Sequence, residues 1–201
     1  MHCILETAKE KGIDLVLMQE PPQRNDPSFR PSHPGFTLLW SSGRTCAARR
    51  IDSPWAFSLE ESNTRETAGD AQVIAMKRRG SSKTSCRIIN TYFRKRADSR
   101  ARPAEQCRWE ALLGEGAGPA LLVGDFNAHS PVWNPRCGPR RDARFLEDLI
   151  DTFSLMVLIH ILLFCTAQAS HRAKRRWRVC LSSRVHHQHL SDGILLIRPH
   201  R

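Results

Sequence analysis

Short apolar runs, each bounded by polar, glycine or proline residues, recur along most of the chain. Runs of this length between turn residues are typical of strands, whereas apolar residues spaced three and four positions apart indicate helices. The pattern therefore predicts an α/β protein. The predicted helices lie near residues 4–11, 103–113 and 142–153, and the predicted strands lie near residues 13–20, 36–40, 45–48, 56–59, 71–77, 85–93 and 120–124.

Two of the predicted strands end in acidic side chains. The strand at 13–20 ends in Glu20, and the strand at 120–124 is followed at once by Asp125, Asn127 and His129. Alternation along an extended chain would direct the last three side chains to one face. Polar groups where a buried strand ends commonly form active sites in α/β sheets. The alternative interpretation is an Asx turn after one strand and an exposed Glu at the end of the other.

The chain has 201 residues, which is enough for one sizeable core, so we expect a single domain over residues 1–201. Its formal net charge of +11 favours a polyanionic partner, with nucleic acid ahead of an anionic membrane surface. Two basic segments contribute to this charge. The first contains Arg94 and Arg96 and would suit a phosphate backbone, and the second covers residues 170–178; either could equally be a solvated loop.

The seven cysteines are scattered and form no C-x-x-C pair, which favours buried thiols in a reducing compartment. We see no secretory signal at the start of the chain. The apolar run at residues 155–165 is too short to span a membrane as a helix, so we interpret it as a core element. We therefore expect a soluble nuclear or cytoplasmic protein that is neither secreted nor bound to a membrane.

Two segments together carry a resemblance to a known family. Gln-Glu-Pro at 19–21 and Gly-Asp-Phe-Asn at 124–127 resemble signatures of the endonuclease/exonuclease/phosphatase superfamily, which has the DNase I-like fold. The Ala-His-Ser-Pro-Val-Trp extension at 128–133 is similar to the form found in endonuclease domains of non-LTR (LINE-type) retrotransposons. The resemblance covers about residues 4–153 and returns near 185–192. It implies two packed, mostly antiparallel sheets flanked by helices.

By this resemblance the chain would be a Mg²⁺-dependent endonuclease that nicks DNA by phosphodiester hydrolysis. Glu20 would hold the metal ion, Mg²⁺ or Mn²⁺, and Asp125 would orient or deprotonate the attacking water. Asn127 would hold the scissile phosphate, and Tyr92 would donate a hydrogen bond beside it. Mg²⁺ suits this task because it prefers hard oxygen ligands and keeps waters of its own.

The resemblance also implies supporting roles at four further positions. His129 would contact the DNA beside the cut, Arg94 and Arg96 would contact its backbone, and Asp192 would orient a histidine. In the family that histidine completes a Ser-Asp-His motif, but here Gly193 follows Asp192. Losing a general acid or base typically costs about 10²–10⁴-fold in rate.

Other departures reinforce this expectation of impairment. The chain begins after the strand that carries a metal-binding Asn in the family, and no Ile-Asp-Leu strand follows the helix at 142–153. Residues 1–153 match the family well, whereas residues 154–201 diverge from it. We therefore expect a truncated or impaired copy, produced by decay or by a shifted reading frame, with weak or no nicking activity.

Two other functional interpretations stay open. The chain could be a non-catalytic nucleic-acid-binding remnant in which only the basic surface matters. It could also be a phosphatase of the same superfamily, although the extension at 128–133 and the charge of +11 argue against this. A reverse transcriptase domain that once followed the chain is compatible with the resemblance and is not decided by the sequence.

Overall fold

The computed structural model describes most of the chain from Met1 to Ser182. The described residues are 1–19, 21, 32–40, 44–60, 71–83, 86–93, 109–114, 119–126, 128, 130–132, 138, 141–162 and 176–182. Within them the helices are α1 (His2–Glu10), α2 (109–114) and α3 (Arg141–Thr152). The strands are β1 (Leu15–Gln19), β2 (Phe36–Trp40), β3 (Thr45–Arg50), β4 (Trp55–Leu59), β5 (Ala71–Arg78), β6 (Cys86–Tyr92), β7 (Ala120–Asp125), β8 (Met156–Leu162) and β9 (Arg176–Ser182).

The strands form two sheets. The smaller sheet has three antiparallel strands in the order β1-β3-β2, and the larger has six in the order β4-β5-β6-β7-β9-β8. Within the larger sheet β6 and β7 are parallel, and the other neighbouring pairs are antiparallel. The sequence prediction of two mostly antiparallel sheets with helices is confirmed.

Alternating strand residues separate three apolar clusters. One cluster lies between the sheets and joins Leu15, Leu17 and Ala47 of the small sheet to residues of β4–β7 such as Ile88 and Leu121. A second lies between the large sheet and helices α2 and α3. A third lies between the small sheet and α1. The molecule is therefore layered, with helices on the outer face of each sheet and an apolar layer between the sheets.

The end of α1 is fixed by Gly12. Gly12 has a φ of +67°, a conformation that glycine adopts without steric cost. Its N–H donates to the Lys9 carbonyl at 3.0 Å, and the Ile13 N–H donates to the Ala8 carbonyl at 2.8 Å. These two bonds form a Schellman cap, which turns the chain from α1 into β1.

The region after α3 differs from its sequence interpretation in one respect. The apolar run at 155–165 contributes β8, the edge strand of the larger sheet next to β9. The basic segment at 170–178, interpreted as a solvated loop or patch, instead ends within β9, which pairs with both β7 and β8. Lys and Arg side chains interrupt the apolar pattern by which a strand is predicted from sequence. The pairing of β9 with β7 also joins segments that are far apart in the sequence.

Two further expectations concern the thiols and the membrane. Cys46 and Cys86 are buried as expected, and burial raises the pKa of their thiols to about 12 and about 11. Both thiols therefore stay protonated and unreactive at neutral pH. Cys3, by contrast, is exposed. In the described part of the chain, no helix has the length and apolar character needed to cross a membrane.

Candidate active site

The parallel pairing of β6 with β7 brings two of the predicted site residues together. Tyr92 and Asp125 are partners in register at the last position of each strand. The Phe93 N–H donates to the Asp125 carbonyl at 2.8 Å and continues the ladder past the strand ends. Partners in a ladder point to the same face, and here that face is the one with Ile88 and Leu121, toward the small sheet. Asp125 is buried, with 8% of its surface exposed.

Gly124 allows this pairing. A Cβ atom at position 124 would collide with the carbonyl group of Thr91, its partner in β6. The first residue of the Gly-Asp-Phe-Asn segment is therefore required by the close approach of two backbones. The local sequence places a glycine at a strand end, but only the tertiary pairing explains why no side chain fits there.

Two residues before Tyr92 on β6 lies Asn90, which belongs to a set of amide side chains that join the two sheets. Asn90 has no exposed surface, and its amide nitrogen donates to the Cys46 carbonyl at 3.1 Å, with longer contacts to the Met18 carbonyl and the Gln72 side chain at 3.4 Å. Its side-chain oxygen accepts a hydrogen bond from Gln19. The Gln72 amide in turn donates to the Leu39 carbonyl of β2 at 2.7 Å. We call these three side chains, Gln19, Gln72 and Asn90, the amide bridge.

The amide bridge fixes the end of β1 against β6. Gln19 is the last residue of β1, and Glu20 follows it in the sequence. Buried amides are retained in a core when their donors and acceptors are paired, as they are here. The bridge therefore sets the spacing between the strand that leads to Glu20 and the strand that ends in Tyr92.

Arg44 is a candidate site residue that the sequence analysis missed. Its guanidinium carbon lies 5.6 Å from the centre of the Tyr92 ring, and the side chain is exposed. It directly precedes Thr45, which pairs with Gln19 at the end of β1. The sequence placed Arg44 only between the predicted strands at 36–40 and 45–48. Nothing in the local sequence relates Arg44 to Tyr92, because the contact depends on packing between the two sheets.

An aromatic cluster lies behind the site, on the α3 side of the large sheet. Phe93, which follows Tyr92, stacks on Trp109 at a centroid distance of 4.8 Å and contacts Phe126 at 5.2 Å and Phe145 at 5.8 Å. Phe126 follows Asp125. The residues next to both polar side chains are therefore anchored in a rigid apolar layer, which limits how far the strand ends can move.

The extension after β7 has its own anchor. Ser130, at the variable position of the Ala-His-x-Pro-x-Trp segment, is fully buried and donates from its hydroxyl to the Glu147 carboxylate of α3. The same hydroxyl oxygen accepts a hydrogen bond from the Val132 N–H at 3.0 Å. The extension is thereby tied to α3, a role that the sequence analysis did not assign to Ser130.

The structure therefore brings together Tyr92 and Asp125 and adds Arg44 beside them. The other predicted site residues lie outside the described residues, so their roles stay predictions. They are Glu20, Asn127, His129, Arg94, Arg96 and Asp192.

The donors at this edge fit a hard divalent cation. Asp125 offers a carboxylate, and Mg²⁺ is held in proteins through carboxylates together with waters and substrate phosphates. Sulfur and imidazole ligands would instead indicate zinc or copper. Asp125 could therefore contribute to holding Mg²⁺, together with Glu20 if that residue takes the role that the resemblance implies.

A separate group of metal-ligand side chains lies on α1, where His2, Glu6 and His33 approach one another. The His33 Nδ1 accepts a hydrogen bond from the Gly35 N–H at 3.1 Å, so the neutral ring carries its proton on Nε2. That Nε2 lies 3.0 Å from Glu6 and donates to it. Its lone pair is therefore not available to a metal, and the group acts as a hydrogen-bonded link between α1 and the segment before β2.

Two packed, mostly antiparallel sheets flanked by helices form an α/β fold that is consistent with a DNase I-like endonuclease. Among solved structures, the chain is similar to the endonuclease domain of TRAS1, a telomere-specific non-LTR retrotransposon. The TM-score is 0.57 and the identity 18%, over 89% of this chain and 76% of that one. No protein-family model matches the chain, and neither does any curated protein sequence. At this identity the likeness establishes a shared fold.

Proposed function

We propose that this chain is a DNA endonuclease domain that hydrolyses phosphodiester bonds with the help of Mg²⁺ or Mn²⁺. The observation that carries the proposal is the pairing of Tyr92 with Asp125 at the ends of two parallel strands. Asp125 belongs to the Gly-Asp-Phe-Asn segment. The shared fold with the TRAS1 endonuclease domain supports a nuclease-like function.

In this proposal Asp125 and Tyr92 have different roles. The buried Asp125 carboxylate orients the attacking water and accepts its proton, because a carboxylate is an acceptor when ionised. Tyr92 donates its phenolic hydrogen to a non-bridging phosphate oxygen. Partial burial strengthens both interactions, since the local dielectric constant is lower than that of water.

Residues predicted from the resemblance complete the proposed site. Glu20 follows the last residue of β1, which the amide bridge holds against β6, and it would share the metal ion with Asp125. Asn127 would hold the scissile phosphate through its amide. The bound divalent ion would supply positive charge to the phosphate and lower the pKa of a coordinated water.

The substrate class follows from charge and from sequence. A net charge of +11 favours a long polyanion over a small phosphoester, since each phosphate contact adds counterion release. The Ala-His-Ser-Pro-Val-Trp extension also resembles the endonucleases rather than the phosphatases of the superfamily. DNA is therefore the proposed substrate.

We expect the rate to be low. Gly193 occupies the place of the histidine that the resemblance calls for after Ser191-Asp192. Without that imidazole, proton transfer near neutral pH loses about 10²–10⁴-fold.

A plasmid-nicking assay at high protein concentration tests the proposal. We expect slow conversion of supercoiled to nicked DNA that requires Mg²⁺ or Mn²⁺ and is abolished by Asp125→Ala. Asp52→Ala is the matched control, because that carboxylate is exposed, pairs with Arg50 and lies two residues beyond Arg50, the end of β3 opposite Thr45. Nicking that persists in Asp125→Ala, or is equally lost in Asp52→Ala, would contradict the proposal.

The second candidate function is DNA binding without catalysis, which the charge of +11 and the glycine at position 193 favour. It predicts salt-dependent binding that survives Asp125→Ala together with no metal-dependent nicking at any protein concentration.

A further inference from the structure

We propose that Arg44 is a binding residue for a DNA backbone phosphate and that the Tyr92 ring holds its guanidinium beside the reaction centre. The inference rests on the proposed function, since it names how the same site grips its substrate. It adds a residue that neither the sequence motifs nor the structural likeness assigns.

The geometry places a cation at the edge where the strand ends meet. Arg44 precedes β3, whose first residue pairs with the last residue of β1, and its guanidinium lies 5.6 Å from the Tyr92 ring centre. Tyr92 is in turn the register partner of Asp125. Strand ends from both sheets thus converge at Tyr92, and of the two residues related to it Arg44 is exposed whereas Asp125 is buried.

The chemistry of the contact suits phosphate binding. A guanidinium within about 6 Å of an aromatic centroid is attracted to the ring by its quadrupole. This attraction acts between the positive charge and the ring face, so it orients the guanidinium at the strand-end edge. Arginine is the side chain best suited to bidentate phosphate contacts.

The position of Arg44 also affects the electrostatic repulsion between the site and its substrate. A carboxylate at a nuclease centre repels the polyanion that it must approach, and the repulsion is greatest where the dielectric constant is low. A guanidinium fixed at the same edge offsets that repulsion for the phosphate next to the one being cut. The alternative is that Arg44 merely covers the Tyr92 ring and leaves DNA affinity unchanged.

The test measures how DNA affinity depends on salt, in an Asp125→Asn background that removes cleavage from the measurement. Binding of a fluorescent double-stranded oligonucleotide is followed by anisotropy between about 50 and about 200 mM salt, where affinity falls steeply. We expect Arg44→Ala to reduce the slope of log K against log salt by about 0.9, the value for one phosphate contact. Arg44→Lys should keep the slope, because it keeps the charge.

The matched control is Lys83→Ala, which removes the same charge from the β5–β6 turn. That turn lies at the opposite end of β6, about 20 Å from Tyr92, and Lys83 is exposed like Arg44. We expect its slope to equal that of the parent. Thermal melting of each variant confirms that the exposed substitutions leave the fold intact.

Substitutions of Tyr92 test the orienting role of the ring. Tyr92→Phe keeps the ring face, so Arg44→Ala should still reduce the slope in that variant. Tyr92→Leu removes the ring, so the effect of Arg44→Ala on affinity should shrink, which a double-mutant cycle measures.

The failure of this inference is distinguishable from the failure of the proposed function. An unchanged slope in Arg44→Ala, or an equal change in Lys83→Ala, overturns the role of Arg44 even if the wild-type protein nicks DNA. A reduced slope in Arg44→Ala alone supports it even if no nicking is found. Absence of any salt-dependent DNA binding by the parent overturns the inference together with DNA as the substrate.

Discussion

Gly124 lies where the Thr91 carbonyl group of β6 comes closest to β7, and a Cβ atom there would collide with it. Neither backbone can yield easily, because both strands are central in the large sheet. At the scale of single residues, this contact constrains the register that pairs Tyr92 with Asp125. A side chain at position 124 would push apart the two strand ends on which the proposed chemistry depends.

We predict that Gly124→Ala destabilises the protein by about 3 kcal/mol, at the upper end of the usual cost of overpacking. Urea denaturation of the variant and the wild type measures the change. Gly114→Ala is the control, because position 114 is helical and a Cβ atom there meets no atom within 4 Å. The control should be neutral or more stable by up to about 1 kcal/mol. Equal stability of Gly124→Ala and wild type would refute the steric argument.

Asp125, Tyr92 and Arg44 differ in how far sequence could predict them. Asp125 was predicted from the Gly-Asp-Phe-Asn segment and Tyr92 from the role that the resemblance implies, and the structure places them side by side. Arg44 could not be predicted, because its contact partner comes from the other sheet. The same holds for Ser130, whose anchor on Glu147 requires the position of α3.

At the scale of elements, the amide bridge is what couples the two sheets near the site. Apolar contact between sheets is not directional, whereas the hydrogen bonds of Asn90 to Gln19 and to the Cys46 carbonyl fix one relative position. Residues from β1, β3, β5 and β6 take part. Removing Asn90 would leave buried carbonyl and amide groups without their partner.

We predict that Asn90→Leu, which keeps the approximate volume, lowers the free energy of unfolding by roughly 3 kcal/mol, since an unsatisfied buried polar group costs about 1–3 kcal/mol and several are affected. Ile89→Val, at the adjacent and equally buried position, calibrates an ordinary core change at about 0.5–1.5 kcal/mol. Chemical denaturation measures both. A cost for Asn90→Leu no larger than that for Ile89→Val would show that the bridge contributes little.

The predicted elements show which part of a fold local sequence can specify. The hairpins β2–β3 and β5–β6 follow from apolar runs with turn residues between them, and both are observed. The parallel pairing of β6 with β7 and the position of β9 between β7 and β8 could not be predicted in this way. Strand order depends on contacts between segments that are distant in the sequence. The basic residues of β9 interrupt the apolar pattern that would otherwise predict a strand there.

At the scale of the whole molecule, the two sheets make different contributions to the proposed site. The large sheet supplies Tyr92 and Asp125, and the small sheet supplies Arg44 and the end of β1 that leads to Glu20. The site therefore exists only when the sheets are packed together. In the proposed function, the net charge of +11 favours the approach of a polyanion, and the strand-end edge is where its phosphodiester bond would be hydrolysed.

The measurement that tests the central claim most directly is a single-turnover nicking rate with Mg²⁺ for four proteins: wild type, Asp125→Asn, Tyr92→Phe and the double variant. If Tyr92 and Asp125 form one centre, each single substitution slows nicking and the double variant is no slower than Asp125→Asn alone, because residues that act as a unit are not additive. Equal rates in all four proteins, or effects that simply multiply, would contradict the account.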